Sequence, residues 1–271
     1  MKNRILLIAL FFGLSSLALN GQRGGEIGGF IGTANYFGDL NTNFNLKPGL
    51  AIGFLLRRNF NERLSVAGGV TYGRISANDA DSNNFYEKSR NLNFSSNVFD
   101  FNATLEFNFF PYIHGSDDNY YTPYIFGGFS FLKFNPTTEL DGTTYSLRDF
   151  GTEGQLASQE YGLFSGAFVF GFGFKWDINR DWSINTSLGG RNLFTDYIDD
   201  VSDRFPDFAT LEARRGITAA QLSNRSLNPD FAIPGQQRGN GKDNDLVYFF
   251  TIGIMKYFGE LPCPAISKIR Y

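Results

Sequence analysis

The chain has 271 residues, a net charge of −3 at pH 7, one histidine and one cysteine. This charge gives no basic footprint for nucleic acid, and one histidine with one cysteine leaves little material for a metal site or a nucleophilic triad. We therefore expect no nucleic-acid partner, no metal, no cofactor and no enzymatic activity. Phe and Gly each occur 31 times, which favours pleated strands, membrane interfaces and tight turns.

The N-terminal segment has the pattern of a secretory signal peptide. A basic start, Met1 to Arg4, precedes an almost wholly apolar run over residues 5–19, and polar residues follow. We assign residues 1–21 to the signal, with cleavage after Ala18 or just before Gln22 both open. No later apolar stretch approaches the roughly 20 residues of a spanning helix, so a helical inner-membrane protein is excluded.

Most of the remaining chain alternates polar and apolar residues. From Asp100 to Phe109 the alternation has no break, which predicts a strand with two unlike faces. Segments of this kind occupy residues 26–33, 48–58, 63–76, 96–109, 122–134, 161–176, 182–194 and 245–258. Strands of roughly nine to eleven residues suit a tilted bilayer crossing. The sequence predicts an all-β fold, an eight-stranded antiparallel transmembrane barrel over residues 22–258.

The connections between these segments alternate in length. Short ones cover residues 59–62, 111–121 and 177–181, and long ones cover 34–47, 77–95, 135–160 and 195–244. Outer-membrane barrels have short periplasmic turns and long extracellular loops. We therefore expect a barrel in the bacterial outer membrane, surrounded by its lipid, with both termini periplasmic and residues 259–271 forming a periplasmic tail.

Four charged residues fall on the polar face of their strands, namely Arg57, Glu106, Lys175 and Arg191. An eight-stranded barrel has an interior just wide enough for side chains to fill, so an open pore is not expected. These charges then form a structural ion-pair network, because unpaired buried charges cost several kcal/mol. A proton or ion path is the alternative.

An acidic run opens the longest loop and includes Asp196, Tyr197, Asp199 and Asp200. We expect these groups to structure the loop over the barrel mouth by bonding to backbone and to arginines such as Arg191. Calcium ligation is the alternative, although the spacing lacks the pattern of a dedicated calcium loop. Short helices are predicted at residues 211–216 and 218–222, and residues 228–244 are predicted to be mobile.

The only histidine, His114, lies in a predicted periplasmic turn, so we interpret it as an ordinary turn residue. Lipid-modifying chemistry would need a positioned base at the outer leaflet. The C-terminal tail holds the only cysteine, within Pro262, Cys263 and Pro264. We expect these three residues to bind a partner, with an intermolecular disulfide through Cys263 and an idle thiol both open.

Two segments carry a resemblance to a known family. They are Asn35-Tyr36-Phe37-Gly38-Asp39-Leu40 and Asp196-Tyr197-Ile198-Asp199-Asp200-Val201-Ser202. Together with the turns at residues 59–62 and 177–181, they resemble the PorG-like outer-membrane barrels of Bacteroidota.

The resemblance implies a part in the type IX protein secretion system, which also serves gliding motility in some species. There, a barrel of this type associates with a periplasmic ring formed by a lipoprotein and its soluble partner. By analogy, this barrel would anchor or position the ring through its tail. The alternative is a general small outer-membrane barrel whose surface loops bind lipid, glycan or another cell.

Overall fold

The structure, a computed structural model, describes residues 24–41, 47–226, 228 and 231–259. Within them, ten strands form one antiparallel sheet. The strands are β1 (Gly24–Phe37), β2 (Gly49–Asn59), β3 (Leu64–Asn78), β4 (Asn93–Asn108), β5 (Tyr121–Lys133), β6 (Pro136–Leu140), β7 (Thr143–Ser146), β8 (Phe164–Asp177), β9 (Trp182–Leu193) and β10 (Leu246–Gly259).

Eight of these strands close into a barrel. Each pairs with its neighbours in the order β1, β2, β3, β4, β5, β8, β9, β10, and β10 returns to β1 over a register from Gly24↔Gly259 to Phe37↔Leu246. Closure gives both edges of every barrel strand a hydrogen-bonded partner. This is required in a membrane, because lipid tails cannot hydrogen-bond to the backbone. The predicted eight-stranded antiparallel barrel is confirmed.

The outer wall is apolar. Strand β8 shows the pattern most fully, with exposed Phe164, Phe168, Phe170, Phe172, Phe174 and Trp176. Strand β2 has the same pattern, with exposed Leu50, Ile52, Phe54 and Leu56. The 14 residues of β8, at about 3.3 Å each and a tilt of about 40°, reach roughly 35 Å along the barrel axis. That length spans the roughly 30 Å hydrocarbon core of a bilayer, so the wall is that of an outer-membrane type of barrel.

Glycine permits the tight curvature at the β1–β10 seam. A Cβ atom at Gly28 or at Gly32 would lie 2.1 Å or 1.9 Å from a carbonyl oxygen of β10. Both residues face the lumen on the same parity as Glu26, where a narrow barrel crowds the neighbouring strands. The seam therefore closes only without side chains at these two positions.

The two ends of the barrel differ in the way that the connection lengths predict. Short turns join the strands at the end that holds Gly24 and Gly259, and the long loops lie at the opposite end. We call these the turn end and the loop end. The predicted strands are confirmed, although β1 continues to Phe37 and β10 includes Gly259, which was predicted to belong to the tail.

The described residues of the loops at the loop end are folded. They contain the β6–β7 hairpin, which pairs with the outer part of β4 at Ser95 and Ser96, and three helices. The helices are α1 (Phe85–Arg90), α2 (Phe208–Arg215) and α3 (Ile217–Ser223). Helices α2 and α3 confirm the two predicted in the longest loop, whereas the hairpin and α1 were not predicted. In the described residues, no helix is both long enough and apolar enough to cross a membrane.

A hydrophobic core fills the barrel mouth beneath these loops. Its buried members include Ile75, Val98, Leu132, Leu193 and Phe249 from the barrel strands and Ile198, Val201 and Leu222 from the longest loop. The loop side chains enter the same core as the strand side chains. The longest loop therefore lies over the mouth and closes it.

Candidate functional site

A cluster of buried charges occupies the lumen near the turn end, and Arg57 is at its centre. Its guanidinium donates to Glu26 at 2.6 Å, to Glu106 at 2.8 Å and to the side-chain oxygen of Asn185 at 3.0 Å. The side chains of Arg57 and Glu26 are fully buried. Such a charge is tolerated only when it is paired and fully hydrogen-bonded, and Arg57 meets both conditions.

Lys175 completes this lumen cluster from β8. Its ammonium donates to Glu106 at 2.6 Å and to Asn108 at 3.0 Å, and it lies 4.5 Å from the centre of the Tyr124 ring. Glu106 thus accepts from both lumen cations through one carboxylate oxygen. Glu106 on β4 binds Arg57 on β2 and Lys175 on β8, and neither of these strands is a neighbour of β4 in the sheet. These contacts brace the barrel from inside.

The strand alternation places these groups in the lumen. Each barrel strand contributes at least one inward polar or aromatic side chain near the turn end. These are Glu26 on β1, Arg57 on β2, Ser65 on β3, Glu106 on β4, Tyr124 on β5, Lys175 on β8, Asn185 on β9 and Tyr257 on β10. The structure thus brings three of the four predicted lumen residues together, Arg57, Glu106 and Lys175. Glu26 was missed, although its parity on β1 would have shown it.

Arg191, the fourth predicted residue, lies in a separate layer closer to the loop end. It pairs with Asp100 at 2.9 Å and its guanidinium carbon lies 4.6 Å from the centre of the Phe249 ring. A cavity of about 50 Å³ lies between the two layers, lined by groups such as Thr104, Asn185 and Ser187. It has room for a few water molecules and no larger solute, so the lumen is closed at both levels.

His114 forms the floor of the lumen. The sequence predicts an ordinary turn residue here, but the ring of His114 is buried, with Nδ1 2.9 Å from Asp177 and Nε2 3.3 Å from Glu26. Tyr257 stacks on the ring at 4.2 Å, and Tyr112 packs edge-on at 4.8 Å. Both ring nitrogens face carboxylates inside the barrel, so His114 is not placed to act as a base on a lipid.

The carboxylates determine the protonation of His114. Burial alone would lower its pKa, but hydrogen bonding to Asp177 and Glu26 and their negative charge together raise the pKa above its usual value of 6.5. With His114 protonated, the lumen cluster contains three cations and three anions. The cations are His114, Arg57 and Lys175, and the anions are Glu26, Glu106 and Asp177. The turn that carries His114 is thereby tied to β1 and β8.

The acidic run lies inside the loop cap, by which we mean the described residues of the four loops over the barrel mouth. Tyr36 donates its hydroxyl to Asp199 and contacts Asp245 at 3.3 Å. Asp199 also accepts from the backbone of Val201 at 2.9 Å, and Asp245 accepts from that of Ile198 at 3.1 Å. These bonds join the end of β1, the longest loop and the start of β10.

The other residues of the acidic run contact the β7–β8 loop and Arg238. Asp200 accepts from the Tyr161 hydroxyl at 2.7 Å, and Tyr197 stacks on the same ring at 4.7 Å. Arg238 lies 3.6 Å from the Asp200 carboxylate and 3.0 Å from that of Glu153. The arginine beside the run is therefore Arg238, and the prediction of Arg191 was wrong because Arg191 points into the lumen and binds Asp100.

Burial raises the pKa of several of these carboxyl groups. The pKa of Asp196 is raised to about 8, with a hydrogen bond from Ser202 opposing the shift. That of Asp200 is raised to about 6, since burial outweighs the attraction of Arg238. Burial raises the pKa of Asp199 and of Asp245 well above the usual value. The cap thus favours protonated carboxyl groups, and its stability falls as the pH rises through these pKa values, because each ionised group is held away from water.

Two buried arginines link the four loops of the cap, and neither was predicted from the sequence. Arg90 binds both oxygens of Asp79 at 2.8 Å and donates to the carbonyl oxygens of Arg238 at 2.6 Å and Asp39 at 2.7 Å. Arg238 lies in residues 228–244, which were predicted to be mobile. It is buried, so that prediction was wrong for this part of the stretch. Polar composition suggests mobility, but a buried, paired guanidinium holds the segment in place.

The remaining sequence predictions concern other parts of the chain. The signal peptide and the tail residues Pro262, Cys263 and Pro264 lie outside the described residues. Within the described ranges, no group of three or more His, Cys, Asp or Glu side chains is arranged to hold a metal ion. The acidic run, for which calcium was the alternative, instead has its carboxylates bonded to hydroxyls, backbone amides and Arg238.

The sequence matches the family described as domain of unknown function DUF6089 over residues 3–214. The chain belongs to this family. Comparison with the curated proteins gives no match. The family description names no activity, so the function has to be argued from the barrel and its cap.

Solved outer-membrane barrels resemble the chain distantly. The N-terminal barrel domain of Pseudomonas aeruginosa OprF is 12% identical, with 88% of this chain and 100% of that one covered and a TM-score of 0.38. Yersinia pestis Ail, in complex with the heparin analogue sucrose octasulfate, is 12% identical, with 89% and 100% covered and a TM-score of 0.41. P. aeruginosa OprG is 10% identical, with 89% and 99% covered and a TM-score of 0.43.

The first prediction concerns Glu106. Replacing it in the variant Glu106→Gln leaves Arg57 and Lys175 short of one negative charge in a buried site, so the free energy of unfolding should fall by about 3 kcal/mol. Urea unfolding of the barrel in lipid vesicles measures this loss. Glu139→Gln, at an exposed position on β6, is the control and should unfold like wild type. Equal stability of all three proteins would contradict the bracing role.

The second prediction concerns pH. Because the folded pKa of His114 lies above its unfolded value, its contribution to stability is fully present below about pH 6.5 and is lost as the pH rises through the folded pKa. The difference in unfolding free energy between wild type and His114→Gln should therefore shrink from pH 6 to pH 9. A difference that stays constant over this range would show that His114 is not charged in the folded barrel.

The third prediction concerns the cap. Arg238→Met keeps much of the aliphatic stem but removes the charge between Asp200 and Glu153, so residues 195–244 should be cut by protease several-fold faster than in wild type. The barrel itself should still migrate as a folded species on unheated gels. Arg204→Met, whose side chain is exposed, serves as the control. Cleavage of Arg238→Met at the wild-type rate would argue against Arg238 as the link between these loops.

Proposed function

We propose that the protein is a non-enzymatic outer-membrane barrel of the type IX protein secretion machinery that anchors or positions a periplasmic lipoprotein ring. The observation that carries the proposal is the closed lumen. Arg57, Glu106 and Lys175 close it near the turn end, and the cap covers the other end. A barrel filled in this way does not act as a diffusion pore, so its contribution must come from its surfaces.

The connection lengths support an orientation with the turn end in the periplasm. In outer-membrane barrels the short turns face the periplasm, and here the turn end also holds Gly24 and Gly259, the outermost described residues of β1 and β10. The 12 residues after Gly259 can extend about 40 Å. A tail of that reach, with Pro262, Cys263 and Pro264 within it, is suited to contact the ring lipoprotein or its soluble partner beneath the membrane.

An anchor of this kind has to resist pulling from one side. The charge cluster lies at the turn end, where a periplasmic load would act. Its contacts join β4 to β2 and β8 across the lumen, and Arg57 on β2 also binds side chains of β1 and β9. His114 ties the adjoining turn to the same cluster. The resemblance to PorG-like barrels supports the assignment to this machinery, and gliding motility would follow in species where the same machinery carries adhesins.

Affinity purification from detergent-solubilised membranes tests the proposal. The full-length protein should recover the ring lipoprotein and its soluble partner, and a variant that lacks residues 262–271 should recover neither. Arg214→Glu, a change on the exposed face of α2, is the matched control and should recover both. Isolation of the barrel alone, with its tail intact, would count against the anchor.

The second candidate function is recognition of lipid, glycan or another cell by the loop cap. One observation favours it, namely a groove of about 440 Å³ between α2 and residues 153–157. Leu156 and Leu211 line this groove, and the exposed Arg214 lies at its edge. If this function holds, Arg214→Glu should impair surface binding by whole cells, whereas loss of residues 262–271 should leave it unchanged.

A further inference from the structure

A shallow groove interrupts the lipid-facing wall close to the turn end. It has a volume of about 560 Å³ and crosses β10, β1, β2 and β3. Its sides are the outward-facing side chains of Ile27, Leu56, Val66 and Phe258, and its floor is formed by backbone at Gly25 and Gly68. An apolar groove of this kind on a membrane wall takes an acyl chain more readily than it takes water.

Packing within the protein does not require the two glycines on the floor. A Cβ atom at Gly25 would meet only the carbonyl oxygen of Arg57, at 3.7 Å, and one at Gly68 only that of Asn102, at 3.8 Å. These are ordinary contacts, in contrast with the 1.9 Å at the lumen-facing Gly32. The open space at Gly25 and Gly68 therefore faces outward, toward the lipid.

A cation lies beside this groove. Arg58 is exposed on the outer face of β2, directly across from Gly25, which in turn lies across from Phe258. Among the described residues, Arg58 has neither an ion-pair partner nor a hydrogen-bond partner for its side chain. Its guanidinium is therefore available to a group outside the protein.

A second cation lies on the other side of Gly25. Lys256 on β10 packs over Trp182 at 5.6 Å and over Phe258 at 5.3 Å. Strands β10 and β2 are two inter-strand spacings apart, about 10 Å. Strands β2, β3 and β10 contain no Asp or Glu, and the one carboxylate of β1, Glu26, faces the lumen. The outer face of this four-strand sector is thus purely cationic.

The depth of these charges matches that of a lipid headgroup. On β2 the outward residues from Leu50 to Leu56 are apolar, and Arg58 follows them as the last outward residue before the strand ends at Asn59. Exposed Phe60 and Trp182 lie at the same end, as expected for the aromatic belt at a membrane interface. Arg58 therefore lies where the hydrocarbon gives way to phosphates.

We propose that the groove is a binding site for one anionic glycerophospholipid of the leaflet at the turn end. The lipid phosphate lies between Arg58 and Lys256, above Gly25, and one acyl chain follows the groove over Gly25 and Gly68. Two cations on strands whose outer faces carry no carboxylate favour a lipid of net negative charge over a zwitterionic one. The site is independent of the tail and of any ring protein.

Native mass spectrometry of the full-length barrel in detergent tests this site, with phosphatidylglycerol and phosphatidylcholine as the two probes. Wild type should retain one phosphatidylglycerol at concentrations where phosphatidylcholine is lost. The double variant Arg58→Gln with Lys256→Gln should bind phosphatidylglycerol about tenfold or more weakly. Equal retention of the two lipids by wild type would overturn the proposal, because it would show only annular lipid.

Two glycine variants test whether the groove itself, and not only the positive charge of the surface, holds the lipid. Gly25→Leu fills the groove without meeting protein atoms closely, so it should fold and lose the bound lipid. Gly29→Leu is the matched control on the same strand and face, where the nearest atom to an added Cβ is also 3.7 Å away, and it should keep the lipid. Each variant is first checked for folding by its mobility on unheated gels. Retention by a folded Gly25→Leu, or equal loss from both variants, would refute the site.

Discussion

One carboxylate oxygen of Glu106 accepts from both Arg57 and Lys175, and this is the interaction on which the rest of the structure depends. A barrel of eight strands has to fill its own interior, and alternation directs every second side chain inward. Inward charges are tolerable only when they satisfy one another. The cluster around Glu106 therefore does two things together. It makes a polar lumen stable, and it removes the space through which a solute would pass.

The same principle organises the opposite end. Arg90 and Arg238 are buried among carboxylates and backbone carbonyl groups that come from all four loops. Each loop taken alone is polar and would not bury enough apolar surface to fold. Joined through two guanidinium groups and laid on a hydrophobic core that includes Ile198 and Leu222, they fold as one cap. The mouth of the barrel is thus an ordered surface and not a set of independent loops.

Alternation predicted the architecture of this protein well, because a period of two reports directly on which face a residue occupies. It placed Arg57, Glu106 and Lys175 in the lumen and located all eight barrel strands. It did not predict pairing, since the partner of Arg191 depends on the stagger between β9 and β4, which are not neighbours in the sheet. Nor did it predict the burial of His114 or Arg238. Both lie in connections, where no periodicity marks a buried side chain, and only the folded chain brings their carboxylate partners to them.

The seam between β1 and β10 has a consequence for biogenesis. Its register joins Gly24 to Gly259 and Phe37 to Leu246, so it pairs the first described strand with the last. Contacts between such remote parts of a chain carry the largest loop-closure entropy and form slowly. Until they form, two strand edges have no partner, and hydrocarbon does not tolerate unpaired backbone. Insertion and closure therefore have to be one event, and the nascent chain needs an assembly factor or a membrane defect that shelters its edges until the C-terminal strand arrives.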